Sequence, residues 1–455
     1  MMSRAPHDSL SRRRFLATSA AGLGALGLGP LGLTRLAHAA EDLDRYFVFL
    51  YFEGGWDHLL ALDPRDPADF PDAAAAETGI EPAYSRLDAS FPSGLVTAGG
   101  MTFGPAIGDL AGFTDHLSLV RGINMATLSH EVGRRYFLTG RPPSGTNARG
   151  SSVATLAAAQ TAADRPVRNL VVKTESYIET TVDPSAAAMS VASSYHLAYL
   201  LQESLGIPTG INPGVRAALE AYWEQPADAR AGAGLGTLAD AYRTNRVQAR
   251  ELVEAQLHTH FNFEEPTMLG AVRAHYGFDI GGADSAAGRA ALVSQALKSG
   301  LTRVASVELV GALDHHDDSW SREHGPALRR GFDALARLLE DLRDTEAPGG
   351  GSYLDKTTIL AFSEFGRSAR LNVRGGRDHL LTNCALLAGA GVAPGQVVGA
   401  SSDLGMAPEH IDLATGASDP EGISLKPEHV MSTFMAAGGL DASDLQSEPI
   451  PALLA

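Results

Sequence analysis

Four groups of carboxylates and imidazoles stand out in this chain as donors for metal chemistry. They are Asp57, Asp314-His315-His316-Asp317-Asp318, Ser363-Glu364-Phe365-Gly366-Arg367 and Gly376-Arg377-Asp378-His379. Mixed nitrogen and carboxylate donors suit Zn, Mn or Fe, whereas oxygen donors alone favour Mg or Ca. Two such ions roughly 3.5–4 Å apart can clamp the attacking and leaving oxygens of a phosphoryl or sulfuryl transfer. No compact H-E-x-x-H spacing is present, so any centre has to be assembled from distant segments. A single Asp-His pair is commonly a solvated loop or a helix cap, so the case rests on the four groups together.

The segment Thr127-Leu128-Ser129-His130-Glu131-Val132-Gly133-Arg134-Arg135-Tyr136 adds a hydroxyl. At a helix N-terminus, exposed backbone N–H groups would favour a Ser129 alkoxide and bind anionic oxygens. Serine is equally a common N-cap for structural reasons alone. Arg134, Arg135 and Arg367 can fork onto an oxyanion or form surface salt bridges.

The elements that must position these groups are legible as well. Residues 46–52 form a continuous aromatic and β-branched run, the pattern of a strand buried on both faces. A glycine turn, Glu53-Gly54-Gly55-Trp56, leads from it to Asp57. Further strands are predicted over 117–120, 167–173, 304–310, 358–362 and 384–388, with an amphipathic crossover helix over 326–342. Three of the four groups follow strands 46–52, 304–310 and 358–362, where parallel α/β sheets bind ligands. The fourth lies in the loop before strand 384–388. Helical spacing over 197–201, 215–223, 238–257 and 290–297 predicts a helical insertion at about 193–299. The alternation of strands and helices predicts an α/β fold with a largely parallel sheet covered on both faces.

The N-terminal residues carry a different kind of information. Ser11-Arg12-Arg13-Arg14-Phe15-Leu16, a glycine-rich apolar stretch over 17–33, Arg35 and Ala37-His38-Ala39 form the series of a twin-arginine export signal. Residues 1–39 are therefore expected to be a signal peptide handled by the Tat translocase. A single domain over 40–455 is expected to work in the periplasm or outside the cell. Of the 36 basic and 53 acidic residues, that leader holds five arginines and one aspartate, so the remainder carries a formal charge of −21. So acidic a surface argues against nucleic-acid partners. An anionic substrate would then need local positive charge from a metal or from arginines. Past the leader no apolar run approaches the roughly 18–20 residues of a membrane span. Cys384 is the sole cysteine, so no intramolecular disulfide forms. Without cysteine clusters or a G-x-G-x-x-G loop after a strand, the sequence argues against an oxidoreductase.

Taken in order, the leader, Phe52-Glu53-Gly54-Gly55-Trp56-Asp57, Ser129-His130, Asp314-His315-His316, Ser363-Glu364-Phe365-Gly366-Arg367, Gly376-Arg377-Asp378-His379 and Val397-Val398-Gly399-Ala400-Ser401 resemble the exported family of domain of unknown function 1501. That family is grouped with the alkaline phosphatase and sulfatase superfamily. The grouping implies a doubly wound sheet and a bimetal site holding a phosphate or sulfate ester. By position, Asp57 resembles the first-strand metal aspartate and Ser129 falls at the nucleophile. Asp314 and His316 resemble the Asp/His pair on one metal, Glu364 the later carboxylate, and Asp378-His379 the final histidine motif. His130 departs from the nucleophile segment of the related phosphoglycerate mutases. Ser363-Glu364 replaces a second aspartate-histidine pair, and the sulfatase Cys-x-Pro-x-Arg signature is absent. The expected function is an exported metal-dependent hydrolase of a phosphate or sulfate ester. Ser129 and Arg367 would be catalytic, with Asp57, Asp314, His316, Glu364, Asp378 and His379 on one or two divalent ions (Zn, Mn, Fe, Mg or Ca). The alternative is a non-catalytic surface binding or assembly protein that keeps the fold.

Overall fold

Strand β1 (Tyr46–Phe52) is buried along its whole length and lies near the middle of an eight-stranded sheet. In this computed structural model the described residues are 44–202 and 255–455, with Gly214, Val215 and Ala218 between them. The expected signal peptide and most of the helices expected over 215–223 and 238–257 lie outside the described residues.

The other strands of the sheet are β2 (Leu117–Asn124), β3 (Leu170–Val172), β4 (Met189–Val191), β5 (Val304–Val310), β6 (Thr357–Phe362), β9 (Thr382–Gly389) and β10 (Val397–Val398). A separate two-stranded ladder pairs β7 (Gly366–Arg367) with β8 (His379–Leu380). The sheet order is β10-β2-β9-β6-β1-β5-β3-β4. Every neighbouring pair is parallel except the two made by β9, which runs antiparallel to β2 and β6. The expectation of a largely parallel sheet therefore holds, with one reversed strand inside it. Strands 46–52 and 304–310 match the sequence reading residue for residue. The strand expected over 167–173 is shorter, and β2 and β9 are longer than expected.

The helices are α1 (His130–Thr139), α2 (Val153–Gln160), α3 (Ser194–Leu200), α4 (Gly270–Tyr276), α5 (Ala286–Lys298), α6 (Gly325–Asp344) and α7 (Pro427–Ala437). Alternation along β1 shows why both faces are covered. Phe52 packs on Phe332 of α6 with ring centroids 5.1 Å apart. Phe47 and Phe49, on the other face, meet Phe434 of α7 at 6.0 and 4.5 Å. Helix α6 buries Leu328, Phe332, Leu335, Leu339 and Leu342, a stripe at three- and four-residue spacing. Truncating Phe332 in such a core costs about 3–5 kcal/mol.

Strand direction decides what reaches the site. The C-terminal ends of β1, β2, β5 and β6 share one edge of the sheet. Because β9 is reversed, Thr382 at its start pairs with Asn124 at the end of β2. The Arg377-Asp378-His379 segment that precedes β9 thus arrives at the same edge. Gly54 and Gly55 let β1 turn sharply there, at φ of +106° and +80°. A Cβ on Gly55 would lie 2.5 Å from the Phe365 ring.

Candidate metal centre

Asp314, four residues beyond β5, is the hub of the cluster at this edge. Its Oδ1 lies 3.4 Å from His130 Nε2, 3.0 Å from His316 Nε2 and 3.2 Å from His379 Nε2. Donor atoms of His130, Asp314 and His379 all fall within 4.8 Å of one another, the one such group among the described residues. His316 joins it, with Nε2 3.0 Å from His379 Nε2. The Phe365 ring supports two of the imidazoles, its centroid 4.7 Å from that of His130 and 4.3 Å from that of His379.

Each imidazole is oriented by an acceptor on its other nitrogen. His130 Nδ1 is 2.7 Å from Glu364 Oε1, His379 Nδ1 is 2.7 Å from the Leu128 carbonyl, and His316 Nδ1 is 2.8 Å from Asp378 Oδ1. All three partners accept, and a proton on Nδ1 of each neutral ring satisfies them while leaving Nε2 free for a cation. Three Nε2 lone pairs then face Asp314, two of them 3.0 Å apart. A shared proton or a cation satisfies lone pairs this close, and Arg367 Nη1 lies 3.4 Å from His316 Nε2. Tetrahedral zinc with bonds of about 2.0 Å spaces its ligand atoms roughly 3.3 Å apart, within the range found here. The residues therefore fit a divalent ion. Three imidazoles and one carboxylate favour Zn, Fe or Mn over Mg or Ca.

Electrostatics follow from this packing. Burial raises the Asp314 pKa, but Arg367 and the neighbouring histidines outweigh it and hold the carboxyl well below the usual range. Burial lowers the pKa of His130, yet the hydrogen bond and charge of Glu364, with the charge of Asp314, leave it raised. Burial, aided by the charges of Arg367 and His130, pushes His379 down. Glu364 is fully buried; burial opposes its charge, but His130 and backbone N–H groups keep its pKa lowered.

Arg367 is fully buried and enters the cluster directly. Its Nη2 pairs with Asp314 Oδ1 and the Gly54 carbonyl, Nε donates to the Gly55 carbonyl at 3.0 Å, and Nη1 to the Arg377 carbonyl at 3.1 Å. Ser129 is the N-cap residue of α1, but its side chain makes no capping bond. It stands between Leu128, whose carbonyl holds His379, and His130.

The structure thus brings Asp314, His316 and His379 together and sets three other expected ligands apart. Glu364 and Asp378 stand one bond outward, against His130 and His316. Asp57 is elsewhere: its Oδ1 accepts from the Leu59 N–H at 3.1 Å, and its Oδ2 from Trp320 Nε1 at 2.9 Å. Arg377 Nε pairs with that same Oδ2 at 2.8 Å, and both side chains are fully buried. A bimetal arrangement resting on Asp57 has this guanidinium in its place. Arg134 and Arg135 turn to Glu175, at 2.7 and 3.1 Å, and away from the cluster.

His130 is the member of the cluster that the sequence does not single out. Its signal was available: an imidazole in the first turn of a helix that follows a site-bearing strand, three residues before a buried glycine. That glycine, Gly133, lets α1 rest against the backbone carbonyl of Glu364.

The chain belongs to the family described as protein of unknown function (DUF1501), whose model matches residues 44–416. No curated protein matches it in sequence. Solved structures similar to it include Ps i-CgsB in complex with k-i-k-neocarrahexaose, 10% identical with a TM-score of 0.36, covering 90% of this chain and 75% of that one. The PsFucS1 sulfatase from Pseudoalteromonas sp. is 10% identical with a TM-score of 0.34, covering 91% and 73%. The phosphonate monoester hydrolase SpPMH from Silicibacter pomeroyi is 12% identical with a TM-score of 0.30, covering 89% and 75%. Among the described residues no helix is long and apolar enough to cross a membrane.

Proposed function

We propose that this protein is a metal-dependent hydrolase of a phosphate or sulfate ester, exported through the twin-arginine pathway by residues 1–39. One observation carries the reading: three imidazole Nε2 atoms, each oriented from behind, converge on Asp314 Oδ1. His130, Asp314 and His379, with His316 beside them, would hold one ion of the Zn, Mn or Fe kind. A bound ion supplies Lewis-acid polarisation of the ester and lowers the pKa of a coordinated oxygen.

The remaining steps belong to the chain. Ser129 Oγ attacks the phosphorus or sulfur centre and the alcohol leaves, giving a serine ester. Water then cleaves that ester, which releases phosphate or sulfate and restores the hydroxyl. Backbone N–H groups in the first turn of α1 would bind anionic oxygens, and the helix dipole would favour their charge. Arg367 holds the Asp314 carboxylate and the Gly54-Gly55 turn in register.

Metal analysis of the purified protein tests the reading first, and the absence of a stoichiometric divalent ion sinks it. With metal present, Asp314→Ala is expected to abolish both metal binding and turnover of aryl phosphates or sulfates. A second reading is favoured by the Asp57–Arg377 pair, which engages the carboxylate expected to hold a second ion. A single-ion site could serve a binding or surface-assembly protein. Bound metal with no hydrolysis across an ester panel would support that reading.

A further inference from the structure

We infer that Glu364 is a positioning residue that fixes the tautomer of His130 and thereby aims its Nε2 at the centre. The inference rests on the metal-centre reading above and concerns an outer residue. Among the described residues, the Glu364 carboxylate meets the clustered imidazoles through His130. Its Oε1 accepts from His130 Nδ1 at 2.7 Å and from the Gly54 N–H at 2.8 Å. Its Oε2 lies 2.9 Å from Ser363 Oγ. That hydroxyl is also 2.6 Å from the Phe52 carbonyl and accepts from the Trp56 N–H at 3.1 Å. The carboxylate is thus tied at several points to the turn after β1, with no exposure to water.

The imidazole has little other freedom. Phe365 lies against its face and Gly133 brings α1 onto the Glu364 backbone. On the far nitrogen, Asp314 Oδ1 sits 3.4 Å away. A proton on Nε2 would occupy the lone pair a cation needs. Glu364, by demanding the proton on Nδ1, keeps that lone pair open. Outer carboxylates of this kind orient metal-binding histidines and raise their basicity.

Two variants separate the tautomer from the charge. Glu364→Gln keeps a carbonyl oxygen where Oε1 accepts from His130 and Gly54, while its amide can donate to Ser363 Oγ. Glu364→Ala removes the acceptor altogether. Zinc affinity, measured by competition with a chromogenic chelator, is expected to fall about 10–100-fold in Glu364→Ala. In Glu364→Gln it should stay near the wild-type value. NMR of isotope-labelled histidine at alkaline pH should find the His130 proton on Nδ1 in wild type and Glu364→Gln, and displaced in Glu364→Ala. An affinity loss in Glu364→Gln equal to that in Glu364→Ala overturns the inference. So does a wild-type His130 protonated on Nε2. Should wild type take up no zinc, the hydrolase reading fails, while the tautomer in the metal-free protein still decides the role of Glu364. The same wild-type measurement decides it if Glu364→Ala does not fold.

Discussion

Arg377 Nε lies 2.8 Å from Asp57 Oδ2, and neither side chain reaches solvent. Three of the four remaining guanidinium hydrogens go to main-chain carbonyls: Nη1 to Ser368 at 2.8 Å, and Nη2 to Glu81 at 2.6 Å and Pro82 at 3.2 Å. A pair this deep is costly to break from one side, since the surviving charge is left buried. Arg377→Ala is therefore expected to lose about 3–5 kcal/mol in denaturant unfolding. Asp57→Asn keeps only one accepting oxygen, so either Leu59 or Trp320 loses its partner and Arg377 is left unpaired. A comparable loss is expected, with bound metal unchanged. If Asp57→Asn instead halves the metal content, the pair opens in solution to admit a second ion.

Ser129 offers a separable test of chemistry against capping. Replacing a serine that caps a helix costs about 1 kcal/mol. Here the hydroxyl makes no capping bond. Ser129→Ala should therefore change stability by less than about 0.5 kcal/mol, as an ordinary surface change does. Its turnover of an aryl ester should fall at least about a thousandfold, as expected for a nucleophile. The opposite pattern, intact turnover with lost stability, would assign Ser129 to the helix end alone.

Gly133 reverses the usual effect of glycine in a helix. Alanine there would ordinarily gain up to about 1 kcal/mol in helix propensity. At this position a Cβ would strike the Glu364 carbonyl oxygen. Forcing atoms into such a contact costs about 1–3 kcal/mol, so a net loss is expected. Because α1 must shift, His130 shifts with it. Gly133→Ala should thus weaken zinc binding as well as lower the unfolding midpoint, and a stabilised variant with normal affinity would contradict the close approach.

Acid stability should depend on Glu175. It accepts from Arg134 Nη2 at 2.7 Å, Arg135 Nε at 3.1 Å and the Tyr177 hydroxyl. Burial opposes its charge, but these partners outweigh it and lower its pKa from 4.5 to about 2. The folded value lies below the unfolded one, so this contribution is complete above about pH 4.5 and disappears as pH falls towards 2. Glu175→Gln should be less stable than wild type near neutrality, and the gap should narrow steadily through that window. Denaturant midpoints at several pH values measure it. A gap that stays constant would mean that shape, and not charge, is what glutamine disturbs.

The fold was legible in the sequence where burial on both faces removed ambiguity. Strand 46–52 is wholly aromatic and aliphatic, and strand 304–310 interrupts an apolar run only at Ser306 and Glu308, so both read as central strands. Two- and three-residue strands such as β10 and β4 are too short to carry a period, and nothing local announces them. The direction of β9 is likewise absent from its composition, because a buried strand reads the same both ways. At the site, Asp314, His316 and His379 were legible as candidates because they follow or precede strands at the correct edge. Which carboxylates turn inward was not. Glu364, Asp378 and Asp57 look alike as residue types, and only side-chain partners distinguish an inner donor from an outer support or a buried ion pair.

The reversed strand β9 has a consequence for the order of synthesis. It lies between β2 and β6 and joins them. Until residues 382–389 leave the ribosome, β2 and α1 have no ladder linking them to the rest of the sheet. His130 and Asp314 then lie on segments that share no strand ladder, and His379 arrives only with the strand that joins them. Completion of the cluster therefore waits on residues 379–389, the last of its parts to be made.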